Sequence, residues 1–255
     1  MQLSSSLSEN LAAFNTMFGP SADYYAKQVT VGGCPAAILL FDGMTSLSSL
    51  WTLLLDSVDR AAQFGAQPPA GGRQVFGRLL YHSDLPAQGS PVGTTEDAVR
   101  MLTAGFALLL LDGWEQGIAF SVQSLQFRSI EEPSGEGSLR GSREGFADLL
   151  RVNLSLLRRL VRTGDLVMEG AQADTAMRTE YALCYCRDKA DKEMVARVRG
   201  ILKEAKPELL LDSSYFVPWL LPVKYRLFTP AGYTERPAVA AAKLCEGKLV
   251  ILVNG

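Results

Sequence analysis

Histidine is almost missing: His82 stands alone among 255 residues. General acid–base chemistry at neutral pH and most zinc sites draw on that side chain, so its scarcity narrows both. Leu-Leu-Tyr-His82-Ser-Asp permits a Ser-His-Asp system on paper, but the residue reads as a surface histidine at a strand end. Four cysteines, Cys34, Cys184, Cys186 and Cys245, are too few and too scattered for a disulfide framework. Cys184-Tyr-Cys186 in a strand puts both thiols on one side, toward a core, and no metal site is expected. A net charge of −2 offers no global attraction to nucleic acid or an anionic membrane. Apolar runs such as Phe106–Leu111 are far too short to span a bilayer. The opening Met-Gln-Leu-Ser-Ser-Ser lacks the basic region and apolar stretch of a signal peptide. Neither a Walker loop nor a nucleophile elbow is present, and Gly135-x-Gly137-x-x-x-Gly141 misses the dinucleotide fingerprint in spacing and charge. No catalytic residue, metal ligand or cofactor is assigned.

What the chain does have is hydrophobic residues, 47% of the total, in alternating strand and helix patterns. Hairpins are expected from Lys27–Val31 with Ala36–Phe41, across Gly32-Gly33, and from Phe106–Leu111 with Gln116–Val122. Helices are expected from Ser46 through Val58, from Thr95 to Ala104, from Arg143 to Arg162, from Asp191 to Ala205 with Met194 inward, and from Pro237 to Leu244. Strands are expected at Gln74–Tyr81, Met177–Arg187, Leu209–Leu211 and Lys248–Val253, with Leu125–Ile130 extending the second hairpin or leading out of it and Tyr215–Leu221 irregular. No repeat of a solenoid period is seen. The class is α/β in the sense of mixed α+β: two small subdomains, each a short mixed sheet with packed helices. They cover residues 1–130 and 146–255, joined by a charged segment at 131–145.

That segment is the densest signal. Arg128 to Phe146 holds three Arg, four Glu, four Gly and one Pro in nineteen residues. Backbone so rich in glycine is bent, and charges so mixed must pair. Glu132, Glu136, Arg140, Arg143 and Glu144 are therefore candidates for structural or partner contacts, as are Glu235 and Arg236 in a second charged loop before Pro237. Arg140 or Arg143 is expected to bond carboxylates or carbonyls and tie the connecting segment to the second subdomain. Arg151, Arg158, Arg159 and Arg162 read as a solvated helix face.

Arg128-x-Ile-x-Glu132-Pro133-x-x-Glu136 with Arg140-Gly-Ser-Arg143-Glu144-Gly-Phe146 resembles a signature block of the GerA family, the A subunits of bacterial spore nutrient-germinant receptors. Asn153-Leu-Ser-Leu-Leu-Arg158-Arg159, Thr234-Glu235-Arg236-Pro237 and Leu244-Cys-Glu-Gly-Lys-Leu-Val-Ile-Leu-Val-Asn254-Gly255 resemble further blocks of that family in the same order. Ser142, Ala238, Lys248 and Asn254 depart from its usual residues. The resemblance implies a non-enzymatic N-terminal domain acting in signalling and assembly during nutrient-triggered germination. It implies a spore inner-membrane receptor with this domain on the cytoplasmic (core) side, and a membrane region after the strand that ends at Asn254-Gly255. Its implied partners are the receptor's B and C subunits, together with further copies of the A subunit. A small-molecule-binding module with a ligand between the two subdomains is the alternative.

Overall fold

The structure, a computed structural model, describes residues 1–46, 71–81, 88–123, 142–175, 177–221 and 231–255. The expected helix beyond Ser46, His82, the segment at 125–130, and Glu132, Glu136 and Arg140 lie outside the described residues. The chain divides into two compact units, Met1–Gln126 with Arg162–Gly164, and Phe127–Val161 with Asp165–Gly255.

The first unit begins with α1, Leu7–Phe18. Leu7, Leu11, Phe14 and Phe18 fall on one buried face, and the Ser6 hydroxyl accepts the Glu9 amide as an N-cap. β1 (Tyr24–Val31) and β2 (Cys34–Phe41) form the expected hairpin. Gly32 and Gly33 both adopt positive φ, 58° and 81°, which suits a two-residue turn matched to strand twist. α2 spans Gly72–Tyr81, β3 Gly89–Val92, α3 Thr95–Thr103, β4 Ala107–Leu111 and β5 Gly117–Phe120. The sheet order is β1-β2-β4-β5-β3. Strands β2, β4 and β5 have almost no exposed side chain because both faces are covered. α1 and α3 pack on the face of Ala37, Leu39 and Leu108; α2 packs on that of Ile38, Leu109 and Ile118.

The second unit follows the same plan. α4 is Leu150–Leu160, β6 Leu166–Gln172, β7 Glu180–Cys186 and α5 Lys192–Glu204. A 3-10 turn at Ser213–Phe216 leads into the short α6, Val217–Leu220, and α7 (Pro237–Cys245) precedes β8 (Val250–Val253). The sheet order is β6-β7-β8. α4 and α7 cover the face of Met168, Ala182, Cys184 and Cys186; α5 and the 3-10 turn cover that of Val167, Tyr181, Leu183 and Tyr185. Both thiols of Cys184-Tyr-Cys186 thus face one core, as the alternation requires.

Although one sheet has five strands and the other three, the two units share a set of corresponding hydrogen bonds among the described residues. Asn10 clamps Ser4, six residues upstream, through Ser4 N to Oδ1 (2.9 Å) and Nδ2 to Ser4 O (2.7 Å). Asn153 clamps Ala147, also six upstream, at 2.8 and 2.6 Å. The first helical amide, Leu7 or Leu150, donates to a side chain after a distant strand: Asp112 Oδ1 (3.1 Å) or Asn254 Oδ1 (2.8 Å). The following glycine closes each joint, Gly113 N to Ser5 O at 2.8 Å and Gly255 N to Asp148 O at 2.9 Å. α3 ends through Gly105 N to Leu102 O and Phe106 N to Met101 O; α7 ends through Gly247 N to Leu244 O and Lys248 N to Lys243 O. Gly105 and Gly247 both sit at positive φ, 89° and 82°, the helix-ending conformation that excludes most other residues.

Several expectations are corrected. Both sheets are antiparallel in every pairing among the described residues, a purely antiparallel form of the mixed sheets expected. Residues 74–81 are helical, not a strand, because Val75, Phe76 and Leu79 face the sheet at helical spacing. Helix α4 starts at Leu150, not Arg143, because the Asn153 side chain takes both the amide and the carbonyl of Ala147, which a helix would need for its own ladder. Residues 209–211 form no strand, and Met194 points outward at 41% exposure. Arg158 is fully buried rather than solvated, and its Nη1 donates to Leu166 O at 3.0 Å. Among the described residues no helix is long and apolar enough to cross a membrane.

Candidate functional site

Two of the sequence blocks singled out above meet at one end of the second unit. Residues 142–149 run without regular secondary structure into α4, bending at Asp148, and Thr234–Arg236 lead into α7, where Pro237 opens the helix without needing a backbone donor. The Phe146 amide donates to Glu235 O at 2.8 Å, and Arg236 Nη2 reaches Ser142 O at 3.3 Å. Arg236 N donates to the Thr234 hydroxyl at 3.1 Å, which bends the second loop. Phe146 packs partly buried on the core beneath α4 and α7. Asn254 and Gly255, at the end of β8, close the same joint from behind through Leu150 N and Asp148 O.

Charge is concentrated here. Glu144 receives Arg159 Nη2 on both carboxylate oxygens, and the side chains retain only 11% and 21% of their exposure. An ion pair this sheltered is screened less than a surface pair. Arg143 lies in the same segment and is engaged rather than free. The structure therefore brings Arg143, Glu144, Glu235 and Arg236 into one joint. Within it, the described side-chain ties from the arginines come from Arg159 and Arg236. Sequence reasoning missed Arg159, Asn153 and Asn254. Asn153 left a signal: it is a polar residue on the buried face of Leu150, Leu154 and Leu157.

The first unit builds the same backbone joint without the arginine–glutamate pairing, its charges there being Asp112 at the Leu7 amide and Glu9 at the Ser4 hydroxyl. Leu3 N donates to Gly93 O at 3.0 Å, in the position of Phe146 and Glu235, and Thr94 caps α3 where Arg236 stands at the start of α7. The backbone joint is thus a property of the fold. The arginines with their glutamate and carbonyl partners are what the second unit adds to it.

A second polar cluster lies on the α5 face. Arg199 grips Glu169 with two bonds, Nε to Oε2 at 2.7 Å and Nη2 to Oε1 at 2.6 Å, and the Tyr185 hydroxyl donates to Oε1 at 2.7 Å. Burial alone would raise the Glu169 carboxyl, but the Arg199 and Tyr185 bonds outweigh it and hold it below its usual range. Burial and the neighbouring carboxylate push the Tyr185 phenol up. Among the described residues no group of side chains is arranged to hold a metal ion.

Comparison with known proteins places these features. Residues 12–255 match the model of the family described as Bacillus/Clostridium GerA spore germination protein. "Spore germination protein KA" of Bacillus subtilis (strain 168) is 27% identical over 256 residues, covering 99% of this chain and 46% of that protein. "Spore germination protein B1" of the same organism is 28% identical, covering 100% of this chain and 52% of its own length. The chain therefore spans about half the length of the curated relatives it matches. Among solved structures, the N-terminal domain of the A subunit of the Bacillus megaterium spore germinant receptor GerK3 superposes with a TM-score of 0.75 at 24% identity, covering 100% of this chain and 93% of that one. That likeness establishes the fold.

Proposed function

The chain belongs to the Bacillus/Clostridium GerA spore germination protein family, and from that we infer that it is the N-terminal domain of a spore germinant receptor A subunit. In this reading it acts in signalling and assembly during nutrient-triggered germination and performs no catalysis. It stands on the cytoplasmic side of the spore inner membrane and works with the receptor's B and C subunits and with further A subunits. The observation that carries the reading is the joint at 142–148 and 234–237. Four of its charged side chains are more than the backbone joint requires, since the first unit makes the same joint with Gly93 and Thr94. These charges are already engaged within the domain, so a partner would add to or exchange with those bonds, and arginine is suited to planar, bidentate pairing.

Deletion of the gene tests the reading directly. Spores lacking the protein should lose the fall in optical density that follows addition of at least one nutrient. Deletion spores that respond like their parent to every amino acid, sugar and nucleoside tried, where the parent carries the protein, would overturn it. Arg236→Ala and Arg143→Ala should weaken capture of a membrane subunit from spore extracts while leaving the fold intact by circular dichroism.

A further inference from the structure

We propose that residues 142–150 form a latch: one strap whose ties to the Glu235-Arg236 loop and to Asn254 and Gly255 hold or release together. The latch regulates the charged joint described above, and its use in offering that joint to a partner rests on the receptor reading. The ties run along the whole strap. Ser142 O accepts Arg236 Nη2 at 3.3 Å, and Arg159 holds the Glu144 carboxylate. The Phe146 amide donates to Glu235 O at 2.8 Å. Both polar backbone atoms of Ala147 bond the Asn153 side chain, at 2.8 and 2.6 Å. Asp148 O accepts the Gly255 amide at 2.9 Å, and the Leu150 amide donates to Asn254 Oδ1 at 2.8 Å.

Three separate bodies thus hold three consecutive residues. The 234–236 loop takes Phe146, helix α4 takes Ala147, and the end of β8 takes Asp148. Peptide groups are planar, so the Asn153 clamp fixes the planes on both sides of Ala147. A shift of Asp148 is therefore passed to Phe146 instead of being absorbed between them. Asn254 is itself anchored, its amide on Glu180 O at 2.9 Å, so the strap follows the end of the sheet. Losing one tie returns conformational entropy to the strap, and that weakens every tie that remains. Opening is local, because residues 142–149 have no regular secondary structure and Ala147, Asp148 and Leu149 are exposed, so released groups meet water at once. α4 depends on the far tie in particular, since its N-cap Leu149 supplies no side-chain acceptor. Release takes Glu144, Glu235 and Arg236 out of the bonds that engage them within the domain.

Residue-resolved amide exchange on the parent protein and its variants tests the latch. Asn254→Ala removes the acceptor at Leu150, and the distant Phe146 amide should also exchange at least about tenfold faster. Arg236→Ala acts from the other side and should speed Leu150 by a similar factor, so either variant decides the matter if the other fails to fold. Asn254→Asp keeps an acceptor and should restore the protection of Phe146. Glu169→Gln loosens the same unit away from the strap and should leave Phe146 at the parent rate. An unchanged Phe146 rate beside a fast Leu150 in Asn254→Ala overturns the latch, because the ties then act singly. A Phe146 rate that follows Glu169→Gln overturns it too, since the unit then opens only as a whole. So does a Phe146 amide that exchanges without protection in the parent. None of these rates bears on the nutrient response of deletion spores, so the receptor reading stands or falls separately.

Discussion

The two units start their leading helices with the same asparagine clamp but end the motif differently. At α1 the cap is local, because Ser6 supplies its own hydroxyl to Glu9. At α4 the cap position is Leu149, which has no side-chain acceptor, and the helix draws one from Asn254 at the far end of the unit. The first unit surrounds its joint with Ser4, Ser5 and Gly93, and the second with Arg143, Glu144, Arg159, Glu235 and Arg236. Two units with corresponding bonds thus separate what the architecture needs from what one unit carries in addition. The shared part is backbone geometry held by asparagine, aspartate and glycine. The unshared part is the set of arginines with their glutamate and carbonyl partners.

If the units correspond, substitutions at matching places should cost alike. The largest effect is expected at Phe14 and Leu157, which are 1% and 0% exposed on the inner faces of α1 and α4. Phe14→Ala and Leu157→Ala should each destabilise by about 3–5 and 2–5 kcal/mol respectively, read from denaturant midpoints at constant slope. A tolerant response at one site alone breaks the correspondence. Asn10→Ala and Asn153→Ala come next. Each leaves the donor and acceptor of half-buried Ser4 or exposed Ala147 to water, so losses of about 0.5–1.5 kcal/mol are expected in both, with Asp restoring only the acceptor half. Asp112→Ala and Asn254→Ala should be similar, about 0.5–2 kcal/mol by the measure of other caps. The Asn254 variant should be the worse of the two, because α4 has no local cap to fall back on; hydrogen exchange at Leu150 and Leu7 checks this.

The smallest effect sharpens the contrast instead of testing the likeness. The folded Glu169 carboxyl lies below its unfolded value, so its contribution is complete above about pH 4.3 and is lost as pH falls through the lower folded value. Arg199 stays protonated throughout this window, its own value being raised by Glu169. Glu169→Gln should therefore lower the melting temperature slightly at pH 7, and the gap to the parent should close toward pH 3. A gap that widens on acidification would rule out the assigned pairing.

Much of this architecture was legible in the residues. The hairpins show as apolar runs around Gly32-Gly33 and Asp112-Gly113, and α3, α5 and α7 as helical spacing with a capping residue or a leading proline. α1 is legible too: Ser6 and Glu9 form a capping pattern around the start of the face Leu7, Leu11, Phe14 and Phe18. β6 is hidden behind half-buried Glu169 and exposed Gly170, which break its alternation. For α2, paired Val75 and Phe76 suggested a strand although Leu79 completes a helical face. Of the candidate site, the charged blocks stood out, but their meeting did not. Arg158 and Arg159 look alike in a helical stripe; only the approach of Leu166 O and Glu144 makes one buried and the other an ion pair. The correspondence between the units left almost no trace in residue identity, because its bonds are made largely by backbone atoms.

The order of the strands also sets a clock for synthesis. β2 ends at Phe41 and its partner β4 begins at Ala107, 107 − 41 = 66 positions later; β7 ends at Cys186 and β8 begins at Val250, 250 − 186 = 64 positions later. At 5–20 residues per second, each hairpin leaves the ribosome and waits roughly 3–13 s for the strand that seals its open edge. During that interval Leu39 and Leu40, and later Leu183 and Cys184, sit on an unfinished sheet. The nascent chain presents the same sticky edge twice, and holding factors that bind apolar strands have two successive chances to engage it.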